Sequence, residues 1–419
     1  MGVRWLTARV SHPEPPSDDW LEAECRRLLG FGRRVIHPLG GAAWLDDDGD
    51  PDLSRPVHTW ITSRTVHVFG LAALMDVEGG TPIATAALAG LRTTLHDDEH
   101  GGWFGAVDPA GAPVGTAKSC YDHAFVMLAA STAVVAGLPG AQALLEESTA
   151  VFDRHFWDED AGLVVDEWDR AWTTPAPYRG LNAAMHSVEA MLAVGDATGR
   201  PVWHERAARV ATFACGLATS YDGRLPEHFG PDWTPDLDLN RDRPDDPFKP
   251  FGATVGHGLE WSRLLLHVEA ALGDAAPPDL LDASRLLFAR AVADGWHVDG
   301  APGFVYTTDW DGTPVVRARM HWVVAEAIAA AAALHRRTGE ADFAEQYAAW
   351  WRYVVDHLRD LERGSWHHEL DAANRPRASV WPGKPDLYHA VQATLLPRLP
   401  LAPGLARTVA VAGPRPGPA

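Results

Sequence analysis

The stretch Phe251-Gly-Ala-Thr-Val-Gly-His257-Gly-Leu-Glu260-Trp261-Ser-Arg263 sets an imidazole and a carboxylate three residues apart. A helix beginning near Thr254 would stack the two on one face, one turn from each other. Histidine gains and loses a proton near neutral pH, so this pair suits proton transfer, with Glu260 orienting His257. Gly252, Gly256 and Gly258 leave the surface around the ring uncrowded, and Phe251 and Trp261 are flat apolar plates of the kind that line small-molecule pockets. The same His-x-x-Glu recurs as His186 with Glu189, and a further histidine, His389, follows the segment Trp381-Pro-Gly-Lys-Pro-Asp-Leu-Tyr. A histidine that merely caps and packs a helix start explains one such pair, taken alone, better than catalysis does, so its meaning rests on where the device recurs.

The elements that would carry these residues repeat. Turns rich in Asp, Gly and aromatics fall around Trp44, Trp103, Trp168, Leu225, Phe304 and Trp366. Their period is about sixty residues, stretched to about eighty between the fourth and fifth, where residues 231–248 read as an inserted polar loop. Each turn has hairpin grammar, with Gly and Asp at the bend and aromatic or branched residues beside it. Amphipathic helical patterns with one wet face precede the turns, over 18–32, 140–156, 201–218, 279–295 and 341–361. Patterns apolar on most sides follow them, over 59–75, 119–136, 182–194, 254–272, 319–335 and 388–396. Alternating outer and inner helices at this period predict an all-α chain, an (α/α)6 barrel of six helical hairpins with short β-hairpin turns at its mouth. Residues 1–400 read as one domain and 401–419, rich in Pro and Gly, as a loosely held tail.

In such a ring the N-terminal ends of the inner helices open at one end. Their starts carry Arg64 and His67; Lys118, Tyr121 and His123; Asn182, His186 and Glu189; His257 and Glu260; Arg319, His321, Trp322 and Glu326; Lys384 and His389. Polar groups in apolar helices cost free energy unless paired, so convergence on a cavity explains them better than packing does. His67, His123 and His321 are expected to be core histidines bonded to nearby backbone, and His186, His257 and His389 to be functional.

Composition removes several function classes. A net charge of -20 over 419 residues argues against nucleic acid and against anionic membrane surfaces, both of which need a basic face. Three scattered cysteines suggest neither a disulfide framework nor a zinc site, and the charged, Pro-containing start lacks a signal peptide's apolar run. A cytoplasmic protein is expected. Nucleotide-binding glycine loops and a nucleophilic serine elbow are missing from the sequence. A metal held by His186, His257, His389 and Glu260 would need ligands on separate helices to meet at one atom, so none is expected. A glycosidase would need two carboxylates across the cavity, whereas imidazoles outnumber carboxylates at these starts.

The motifs Gly256-His257-Gly-Leu-Glu260-Trp-Ser-Arg263, Trp381-Pro-Gly-Lys-Pro-Asp-Leu-Tyr-His389, Asn182-Ala-Ala-Met-His186 and Thr62-Ser-Arg64 occur in order on the repeat. Together they resemble the N-acylglucosamine 2-epimerase family, within it the aldose-ketose isomerases of free sugars such as mannose, over roughly residues 20–397. The resemblance implies an (α/α)6 barrel, no cofactor, a monosaccharide substrate, and His257 and His389 as the acid-base pair. It also implies sugar contacts from Arg64, Tyr121, Asn182, His186, Glu260, Trp322 and Glu326. The expected chemistry moves a proton from C2 to C1 through a cis-enediolate, whose oxygens must be stabilised. Rivals on the same scaffold are a 2-epimerase and a sulfosugar isomerase, the latter drawing on Arg241, Arg243 or Lys249 of the long loop. A glycoside hydrolase is the more distant alternative.

Overall fold

The Ala-rich stretches are helices buried on nearly every side, and the amphipathic ones are helices with one wet face. The computed structural model describes residues 15–413, so the expected absence of a signal peptide over 1–14 and the last tail residues lie outside the described part. The chain alternates α1 (Asp18–Phe31) outside, α2 (Thr59–Leu74) inside, α3 (Gly80–Arg92) outside and α4 (Cys120–Val135) inside. It continues with α5 (Ala141–Val151), α6 (Leu181–Thr198), α7 (Val202–Ser220), α8 (Val255–Leu272), α9 (Leu280–Gly295), α10 (His321–Thr338), α11 (Ala341–Tyr353) and α12 (Tyr388–Leu395). Each even-numbered helix touches the next, and α12 touches α2, which closes the inner ring. Each inner helix packs on the outer helix that follows it, and α12 takes α1 as its partner, so the two ends of the chain zip the barrel shut. This is the (α/α)6 barrel that the sixty-residue period predicts.

The mouth is built from two-residue strands. The dipeptide before an inner helix pairs antiparallel with a dipeptide in the following hairpin's turn: 57–58 with 106–107, 118–119 with 167–168, 179–180 with 228–229, 253–254 with 307–308, and 319–320 with 369–370. Beyond each pair the first helical N–H donates to a turn carbonyl: Thr59 to Gly105, Cys120 to Asp166, Leu181 to Glu227, Val255 to Tyr306 and His321 to His368. Helix N-termini leave orphan amides that must find acceptors, and here the neighbouring turn supplies one each time. The turn is thereby fixed against the helix start that it caps.

The stretch expected as a tail is helical over α13 (Leu405–Ala412), which packs on α2, α4 and α6 and buries Ala406 and Val409. Its spacing of small apolar residues gives one dry face, a signal that the Pro and Gly around it obscured. Among the described residues no helix is long and apolar enough to cross a membrane.

Close packing of a turn against an outer helix depends on Gly90 in α3, where a Cβ would lie 2.1 Å from the Gly41 amide nitrogen. Because the obstacle is backbone, Gly90→Ala should destabilise the fold by about 1–3 kcal/mol despite alanine's better helix propensity. A lower urea midpoint with unchanged slope is the expected reading.

Candidate active site

All six inner helices bring their first turns to one cavity of about 720 Å³. Its walls are Trp60 and Arg64 from α2, Tyr121 from α4, Asn182 and His186 from α6, His257 and Glu260 from α8, His321 and Trp322 from α10, and His389 from α12. The turns contribute Tyr306, His368, Trp381 and Asp386, and the inserted loop contributes Pro247, Phe248 and Pro250.

Two imidazoles share one construction. His389 Nδ1 lies 2.9 Å from Glu326 Oε1, and His257 Nδ1 lies 2.9 Å from both oxygens of Glu227. Each carboxylate accepts the Nδ1 proton, which fixes the tautomer and leaves Nε2 as the nitrogen with a lone pair to offer. Trp322 stands between the rings, its centroid 5.4 Å from His257 and 5.6 Å from His389. That approach requires Gly256, because a Cβ there would fall 2.2 Å from the indole. The glycine thus makes room for the tryptophan rather than for the imidazole.

Arg64 donates to Asp386 and, at 3.2 Å, to the Tyr121 hydroxyl, while its guanidinium lies 4.3 Å over the Phe125 ring and 4.7 Å over Tyr388. Burial works against the Asp386 carboxylate, but Arg64 and His389 outweigh it and hold its pKa below the ordinary value. The charge of Arg64 is therefore balanced before any substrate arrives. Among the described residues Asn182 Oδ1 and His186 Nδ1 have no hydrogen-bond partner although both atoms are buried, so each has capacity left for a ligand. Burial lowers the His186 pKa to about 4, which makes it a neutral ring at physiological pH.

At the cavity floor Glu260, and beneath it Glu189 and Glu326, surround Arg263. Arg263 Nε donates to Glu326 at 2.9 Å, and its Nη2 is 3.7 Å from Glu260 Oε1. His186, Glu189 and Glu260 place one ligand-type atom each within 4.8 Å of one another. The Arg263 guanidinium already stands at their side, and the Tyr388 hydroxyl donates to Glu189, so the positive charge and the proton that a cation would replace are in place.

The sequence profile of the N-acylglucosamine 2-epimerase (GlcNAc 2-epimerase) family matches residues 40–393. The chain belongs to that family. The D-mannose isomerase of Thermobifida fusca is 52% identical to it over 410 residues, 97% of this chain and 99% of that protein. The D-mannose isomerase of Pseudomonas cannabina pv. alisalensis is 46% identical over 413 residues, 97% of each. A crystal structure of a D-mannose isomerase aligns with a TM-score of 0.85 at 30% identity, covering 91% of this chain and 98% of that one.

Of the residues singled out in the sequence, this member of the N-acylglucosamine 2-epimerase family brings Arg64, Tyr121, Asn182, His186, His257, Glu260, Trp322 and His389 to one cavity. Glu326 is 1% exposed and stands behind His389, not in the wall. Glu260 does not hold His257. Residues three apart share a helix face, but the imidazole turns outward to Glu227, leaving Glu260 near His186 and Arg263. His123 bonds the Ser119 carbonyl at 2.6 Å inside the scaffold, as expected, whereas His67, also buried, bonds the side-chain hydroxyl of Thr132 on α4 at 2.7 Å and not nearby backbone. His321 bonds the His368 carbonyl at 3.3 Å, yet also lines the cavity. Glu227, Asp386, Tyr306 and His368 were missed. Three of them share a signal: Glu227, Tyr306 and His368 are the turn residues whose carbonyls cap the preceding inner helix. Glu227→Gln, which keeps the shape but removes the charge behind His257, should lower turnover of the sugar substrate about 10²-fold or more with the thermal midpoint unchanged.

Proposed function

We propose that the protein interconverts D-mannose and D-fructose through a cis-enediolate, using His257 and His389 as its acid-base pair. The observation that carries this reading is the paired construction: two imidazoles, each with Nδ1 held by a buried carboxylate, flank one indole in one cavity. The C2–H bond is a weak acid, so the base must be oriented and the enediolate oxygens must meet donors. One imidazole takes the C2 proton and returns it to C1, and the other serves ring opening. Arg64 and neutral His186 stabilise the oxyanion, Tyr121, Asn182 and Glu260 bind hydroxyls, and Trp322, Trp60 and Trp381 face the apolar sides of the sugar. Glu326 acts from behind, orienting His389 as Glu227 orients His257.

Both proton carriers are side chains, so the reading needs no cofactor. It sets the enzyme in the cytoplasm, where its three buried cysteines stay reduced. The sulfosugar alternative loses its cations. Arg241 is bound to Asp238, Arg243 to Asn240, and Lys249 lies 3.8 Å over the Tyr178 ring, and none of the three lines the cavity. Among the described residues of the wall, the only lysine or arginine is Arg64, which Asp386 neutralises.

Protein with excess chelator in D2O, given mannose, glucose, lyxose, fructose or sulfoquinovose and followed by proton NMR, reports substrate, product and label position together. Mannose should yield fructose. Glucose as the product would make the enzyme an epimerase, and no exchange with any sugar would refute the reading. His257→Ala and His389→Ala should each cut the rate about 10²- to 10⁴-fold while circular dichroism stays unchanged.

A further inference from the structure

Three carboxylates, Glu189, Glu260 and Glu326, share the single guanidinium of Arg263, and they do not share it equally. Glu326 receives Arg263 Nε at 2.9 Å and His389 Nδ1 at 2.9 Å. Glu189 receives the Tyr388 hydroxyl and, at 3.2 Å, Gln392 Nε2. Glu260 receives neither. Its Oε1 is buried without a hydrogen-bond partner among the described residues, 3.7 Å from Arg263 Nη2 and 3.8 Å from His186 Nδ1, although the residue faces the cavity.

A buried carboxylate without donors is costly as an anion, and two like charges beside one cation raise that cost. Of the three, Glu260 is the group that relieves the strain by keeping its proton. We infer that Glu260 rests as a neutral carboxylic acid and is the catalytic group that carries a proton between O1 and O2 of the sugar. Burial first, and then Glu326, raise its proton affinity well above the ordinary carboxylate range, against the pull of Arg263. Glu326 behaves in the opposite way. Burial would raise it, but Arg263 and His389 hold it at about 2.

The step, which rests on the isomerase reading, balances. An imidazole removes the C2 proton, the C1=C2 bond forms, and the C1 carbonyl electrons move to O1, which takes the Glu260 proton. The resulting enediol then gives its O2 proton to the Glu260 carboxylate as C2=O forms, and C1 takes the proton back from the imidazolium. Glu260 ends as it began. No oxidant, metal or external acid enters, and Arg263 is a positioning residue that directs the negative charge to Glu326.

Infrared difference spectra and isotope exchange test this. Wild-type minus Glu260→Gln protein at neutral pH should show a protonated-carboxyl band. In D2O with mannose, Glu260→Gln should form ketose about 10²-fold or more slowly, while deuterium entry at C2 falls far less, since the amide can hold O1 but cannot relay a proton. A difference spectrum without the band, or a Glu260→Gln protein that forms ketose at the wild-type rate, would overturn the inference. If the wild-type protein exchanges no aldose proton, the isomerase reading itself falls. Wild-type turnover beside an unaffected Glu260→Gln variant overturns only the role given to Glu260.

Discussion

The mouth of the barrel depends on one backbone bond, made five times. The first amide of an inner helix donates to a carbonyl in the next hairpin's turn, just beyond a two-residue antiparallel pair. Without it the helix would begin with an unsatisfied donor in a water-poor ring, a cost comparable to a lost hydrogen bond. With it, each turn is held in register against the helix start beside it. The consequence is chemical as well as structural. Glu227 gives its carbonyl to Leu181 at the start of α6 and its carboxylate to His257 on α8, so one residue ties two inner helices to the candidate base.

Charge is arranged in layers around that frame. Facing the cavity are neutral or internally balanced groups: His186, the Arg64–Asp386 pair, and the imidazoles with Nδ1 occupied. Behind them lie the carboxylates that orient, Glu227 and Glu326, each more than nine-tenths buried. Buried ions are tolerated only when paired and hydrogen-bonded, and Arg263 meets that requirement for Glu326 at the axis. Such a site is preorganised: donors and acceptors stand in place before substrate binds, so little reorganisation remains for the reacting step.

What the sequence reveals follows the range of the interaction. Helical periodicity and turn grammar are local, so the barrel, the inner starts and the place of His186, His257 and His389 at the mouth could be read from spacing. The expected bond from Glu260 to His257 was also local reasoning, and it failed because a helix face fixes where side chains start, not where they end. Glu227 is thirty residues from His257, and only the strand pairing between 179–180 and 228–229 delivers it. Asp386 lies inside the motif of residues 381–389, but its partner Arg64 is 322 residues away and meets it only because α12 closes the ring on α2. The helix of 405–412 was hidden by the composition around it, since Pro and Gly outside a segment say little about the apolar spacing within.

The direction of the inner helices explains why chemistry belongs at this end. Every residue that an inner helix gives to the cavity lies in its first two turns, so six helix N-termini point at the same space. Each carries a partial positive charge from its aligned peptide dipoles, worth about 0.3–1 kcal/mol to a nearby anion at the surface and more when partly buried. An enediolate formed there would gain from several such ends at once, whereas the uncharged sugar would gain little. That difference between transition state and ground state is what accelerates a reaction. At the opposite end the helix C-termini would repel the same anion, and there the barrel is covered instead by α13, which packs apolar side chains against α2, α4 and α6.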